Sequence, residues 1–184
     1  MAYGLVALAW LVGAHTGHGG LLRLLALPTL ALAAGAAGYS AFLFGQAEGR
    51  DFWQSPLLLP HLLVASLAAG AAALLAIGIP GGGDAPSLNL LVVILIGALV
   101  LEAGLYFAEL SSAHANVDVA RAARLVTRGG LSVRFWGGAV VGGITLPLVL
   151  VFTPAVLLGA VLVLAGSWIY EDVWVKAGQS IPLS

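Results

Sequence analysis

Long apolar runs separated by short polar breaks dominate this chain. Residues 21–45 are apolar apart from Arg23, and residues 57–79 and 88–110 follow, the last run carrying two glutamates. Residues 135–152 and 154–170 form a close pair around Thr153. Each run has the length a helix needs to cross the ~30 Å hydrocarbon core of a bilayer. Residues 2–14 are apolar too, but they read only as a short span or an interfacial segment. The alternation expected of a membrane barrel is absent. The pattern predicts an all-α, polytopic membrane helical bundle. It has five transmembrane helices plus a short N-terminal hydrophobic segment, in one domain over residues 1–184.

Composition narrows the function classes. Only 8% of the residues are charged and the mean hydropathy is +1.07, where a soluble domain carries about a quarter charged residues. The net charge of −1 leaves no basic surface for nucleic acid. With no cysteine, this chain offers neither disulfides nor thiolate ligands for zinc or an iron–sulfur cluster. The N-terminus lacks the charged region of a cleavable signal. Gly138 and Gly142 form a small-xxx-small pair suited to close helix packing. Pro28 and Pro147 fall inside spans and are expected to kink them.

Parity of the five spans puts residues 46–56, 111–134 and 171–184 on one membrane face. That face holds Arg50, Arg121, Arg124, Arg128, Arg134 and Lys176, whereas the other holds only Arg23. The positive-inside rule turns the first face toward the cytoplasm.

One polar break is unusual in content. Gln46, Glu48, Arg50 and Asp51 stand beside Phe52 and Trp53, between two apolar runs. Chain reversal alone does not require that mixture, so this island is the first place to look for function. Tyr39 lies roughly 9 Å inside the preceding helix end, at 1.5 Å per residue, and His61 is in the first turns of the next helix. The short island makes those helices neighbours. Tyr39, Gln46, Arg50, Asp51, Trp53 and His61 are thus expected to converge on a pocket below the surface. An aromatic belt would place the same rings there without a ligand.

Glu102, Tyr106 and Glu109 are spaced to form one stripe along the fourth run, rising toward the island. Glu102 is the deepest acid, roughly 12 Å below the helix end. A lone carboxylate at that depth is costly, so it must be paired, protonated or wetted. The stripe reads as a proton path, or as a buried acid bonded to a neighbouring helix. The histidines raise a second possibility, a bis-histidine haem. His15 and His18 lie toward the other face, however, and His114 lies beyond its helix. A transporter component, in which Glu102 and the basic loop handle an ion or solute, is a third.

The segment GYSAFLFGQAEGRDFWQSPLLLPHLLVASLAAGAA resembles the helix–loop–helix in the second half of the NrfD-like family, the membrane subunits of polysulfide reductase and its relatives. The shared order is a tyrosine-bearing helix (Tyr39), Trp53 before Ser55-Pro56, then a helix rich in small residues over 65–70. The glutamate-bearing helix, the basic loop ending in Arg134-Phe-Trp-Gly-Gly138 and the tail Ala177-Gly-Gln-Ser-Ile-Pro182 continue the resemblance, which covers roughly residues 21–184.

The resemblance implies an eight-helix fold in a prokaryotic cytoplasmic (inner) membrane that binds menaquinone or ubiquinone near one surface. It implies no haem or iron–sulfur centre in this chain. The expected partners are a ferredoxin-like iron–sulfur subunit, a catalytic subunit of the kind that can carry molybdopterin, and another membrane chain supplying the family's first three helices. In the resemblance Tyr39 corresponds to the quinone-contacting tyrosine. Known members dock the iron–sulfur subunit outside the cytoplasm, opposite to the arginine count, so the side of the island face stays open.

Overall fold

Every described residue outside the turns is helical in the computed structural model, which describes residues 2–111 and 116–181. The elements in order are α1 (Ala2–His15), α2 (Gly19–Gly45), a 3-10 turn (Asp51–Gln54), α3 (Leu58–Gly78), α4 (Ala85–Ser111), α5 (Val117–Thr127), α6 (Arg134–Leu150) and α7 (Val156–Gln179). Helices suit this solvent because they satisfy their own backbone groups where no water can. Helices α2, α3, α4 and α7 are long and apolar enough to span a bilayer. Helices α1 and α6 are apolar but shorter.

The core lies among α3, α4, α6 and α7, where Ala68, Ala72, Leu75, Leu95, Leu99, Ala160 and Val163 are buried. Small side chains let the backbones approach. At the α6–α7 contact a Cβ on Gly143 would stand 2.7 Å from the Gly166 Cα, closer than carbon atoms can pack. Helix α6 is π-helical over Arg134–Thr145. Its backbone bonds therefore repeat at five residues rather than four. The contact to α7 follows that period. Gly138 sits under Ile169 and Gly143 meets Gly166, whereas Gly142 lies against the Gly137 carbonyl of its own helix. The expected Gly138–Gly142 pair is thus replaced by Gly138 and Gly143.

Two boundaries differ from the sequence pattern. α7 continues to Gln179, past the expected end at Tyr170. Its charges lie on one side, where Asp172 pairs with Arg134 at 2.8 Å and Lys176 at 2.8 Å. Val173, Trp174 and Ala177 meanwhile turn inward. The stretch expected as loop over 111–134 contains α5. Asn116 caps it, its Oδ1 accepting from the amides of Asp118 (3.0 Å) and Val119 (2.9 Å). Helix α2 packs along α1 and α3 but has none of its apolar window buried.

The island, α5 and the end of α7 meet at one end of the bundle, as parity requires. Arg50 donates to the Gly178 carbonyl and Asn116 to the Asp51 carboxylate. A Gly166→Val substitution should force α6 from α7 and lower stability by about 1–3 kcal/mol, the usual cost of overpacking. Thermal unfolding in detergent reads this. Gly70→Ala, in open space, should leave the midpoint within error, and an unchanged midpoint for Gly166→Val would contradict the close contact.

Candidate functional site

His61 occupies the first turn of α3, with its N–H bonded to the Leu57 carbonyl at 3.0 Å. This register turns its side chain into the bundle, leaving it 4% exposed. There the imidazole meets two phenol rings, Tyr170 of α7 at 4.4 Å and Tyr106 of α4 at 5.4 Å between centroids. Tyr106 and Tyr170 stack at 4.4 Å and 12°. Phe135 of α6 closes the group against Tyr106 at 5.8 Å. Four helices therefore each contribute one ring. The His61 Nε2 is buried and has no hydrogen-bond partner among the described residues, a costly arrangement that calls for an explanation.

Below the rings, the Tyr106 hydroxyl donates to Glu102 Oε1 at 3.2 Å, one helical turn away. Both side chains are buried, Glu102 at 2% and Tyr106 at 6% exposure. The deepest acid of the chain thus has a partner on its own helix, the arrangement a carboxyl group at this depth needs. Above the rings, Glu109 accepts the Ser55 hydroxyl at 2.7 Å. The same Ser55 oxygen accepts the Leu57 amide at 3.2 Å. Ser55 therefore organises the start of α3 and ties it to the end of α4. The stripe from Glu102 reaches the island through this bond.

Beside His61 and the Ser55–Glu109 pair lies a small cavity of about 30 Å³. Its walls include Phe52, Ser55, His61, Glu109, Tyr170 and Trp174. That room suits about one water molecule, with several polar groups to bind it.

The structure brings together only some of the residues expected from the sequence. Glu102, Tyr106, Glu109 and His61 form or adjoin the ring cluster. Tyr39 is 60% exposed and does not line the cavity. Gln46 is exposed as well. Arg50, Asp51 and Trp53 anchor the island. Arg50 Nη1 donates to the Gly178 carbonyl at 2.6 Å, and its guanidinium lies 5.1 Å from the Trp53 ring centroid. Asp51 binds the Asn116 side chain. The Trp53 indole lies against Gly178, where no Cβ would fit. His15 and His18 are exposed at the α1–α2 turn. His114 and Pro182 lie outside the described residues.

Sequence reasoning missed Tyr170 and Trp174. Their four-residue spacing puts both rings on one helix face, across the charged Glu171 and Asp172, and that periodicity was the available signal. It also missed Phe135, buried at the start of α6.

The sequence model of the family described as "Polysulphide reductase, NrfD" matches residues 4–182. The chain belongs to that family. Its members are membrane subunits of polysulphide reductase-type complexes and work with iron–sulfur and catalytic subunits. No curated protein and no solved structure gives a match.

Tyr106→Phe removes the donor to Glu102 and nothing else of consequence. Stability should fall by about 1–3 kcal/mol, the range for a buried polar group left unpaired. The double variant with Glu102→Leu should lose less in total than the sum of the two single losses. Additive losses in a thermal-unfolding cycle would show that the bond contributes nothing.

Proposed function

Starting from membership of the NrfD family, we propose that this chain is the quinone-interacting anchor of a respiratory oxidoreductase complex in a prokaryotic cytoplasmic membrane. In this reading the ring of menaquinone or ubiquinone is held at the island end. An iron–sulfur subunit, itself coupled to a catalytic subunit, docks on the same end. The observation that carries the reading is His61: a buried imidazole with an unpartnered Nε2, in a wall shared with the Ser55–Glu109 pair. A mostly apolar site with a few convergent polar groups suits a ligand that is apolar except for its carbonyl oxygens.

The donor set fits such a ring. His61 can present its unpartnered Nε2–H to an oxygen, and Phe52 and Trp174 supply flat apolar walls. Once bound, the quinone would supply coupled electron and proton transfer. This chain's own residues would manage the protons. Behind His61, the Tyr106 hydroxyl donates to Glu102 at 3.2 Å. Toward the island, the Ser55 hydroxyl donates to Glu109 at 2.7 Å. The two acids flank the imidazole from below and above. Tyr39 and Gln46 stay outside this set, on exposed surface.

His61→Phe keeps an aromatic ring against the two stacked tyrosines and deletes both nitrogens. Quinone-linked turnover of the assembled complex should fall by about one to two powers of ten, as expected for a lost buried donor of ~1.5–3 kcal/mol. Tyr39→Phe serves as the comparison and should turn over within about twofold of the unaltered complex, a difference worth only ~0.4 kcal/mol. Unchanged turnover in His61→Phe would remove the imidazole from the site. A loss confined to Tyr39→Phe would move the site to the exposed face of α2.

A further inference from the structure

We propose that the island is a lid, latched onto the end of α7 at Gly178, and that a ligand ring reaches His61 only when this latch releases. The first observation is one of size. The cavity beside His61 measures about 30 Å³, whereas ring-sized ligands occupy sites of roughly 300–1,000 Å³. The donor set fits a quinone and the room does not, so a wall must move.

The walls differ in how firmly they are held. His61, Glu109, Tyr170 and Trp174 stand on α3, α4 and α7, which pack on one another through the core. Phe52 and Ser55 stand on the island. Phe52 closes edge-on against Trp174, with centroids 4.6 Å apart and planes at 79°. The island itself is attached at its margins. Arg50 bonds the Gly178 carbonyl at 2.6 Å and covers the Trp53 ring, and Ser55 bonds Glu109 at 2.7 Å. Asp51 adds its bond to Asn116. These bonds join packing contacts, since Phe52 lies against the core and the Trp53 ring meets Phe44 of α2 edge-on at 5.1 Å.

Two further features favour opening. Gly49 has φ +71°, a left-handed conformation that glycine adopts freely, just before the latch residue Arg50. The closed latch also buries the Trp53 Nε1 with no hydrogen-bond partner among the described residues. Lifting the island returns that N–H to water, which offsets part of the cost of breaking the Arg50 bond. The latch lies at the end of the bundle that carries α5 and the end of α7, so whatever docks there meets the lid directly.

The chain has no cysteine, so Leu58→Cys supplies a single thiol on a cavity wall that is 5% exposed when closed. The probe is N-ethylmaleimide, applied to the full chain in lipid nanodiscs. Gly178→Ala places a Cβ against the Trp53 indole, so the indole must shift and the lid should stand ajar. Arg50→Gln weakens the latch without touching the α7 backbone. Each should raise the labelling rate at least tenfold over Leu58→Cys alone. Equal rates in the Arg50→Gln chain, or in both, overturn the lid. The ring's identity rests on the quinone reading, and a second arm separates the two. A short-chain benzoquinone should protect the thiol in the latch variants. Faster labelling without protection keeps the lid and overturns the quinone reading.

Discussion

Hydrocarbon offers no hydrogen bonds, and the rest of this structure depends on that constraint. Backbone groups must be satisfied locally, which makes every span a helix. Side-chain polar groups must find partners inside the protein, which makes them few and clustered. Glu102 meets this demand on its own helix through Tyr106, and Glu109 meets it across a helix boundary through Ser55. Only His61 and Trp53 bury side-chain nitrogens without a partner among the described residues. Both lie at the island end of the bundle.

The bundle is layered accordingly. Deep in the membrane, alanine and glycine bring α3, α4, α6 and α7 close together, and Gly143 and Gly166 set the limit of approach. Toward the island, larger rings replace small residues. The π-helical stretch of α6 reaches both layers. Its longer repeat brings Gly138 and Gly143 onto α7, and Phe135 at its start packs against Tyr106.

The island then has two tasks that the same residues divide between them. Arg50, Asp51 and Trp53 hold it to α7 and α5, while Phe52 and Ser55 face the cavity. A loop that only reversed the chain would need neither set. On the lid proposal, the polar and aromatic mixture suits a cover with its charged residues at the margin and its flat residue inward.

How much of this was legible in sequence depends on which solvent wrote the pattern. Span positions, the shared end of island, basic loop and tail, and the vertical order Glu102, Tyr106, Glu109 all follow from residue spacing, because depth is written along the chain by hydrophobic length. α5 was legible in principle too: Arg121 and Arg124 alternate with buried Ala122, Ala123 and Val126 at helical period behind an Asn116 cap, the signature of a helix between water and apolar surface. What only the tertiary structure decided is how each spanning helix is rotated. Lipid and protein core are equally apolar, so no amphipathic stripe tells one face from the other. Tyr39 and His61 look alike in that respect, yet one faces outward and the other lies buried against two stacked tyrosines. The pairing of His61 with Tyr170, and of Phe135 with Tyr106, depends on contacts between helices distant in sequence, and no local pattern encodes them.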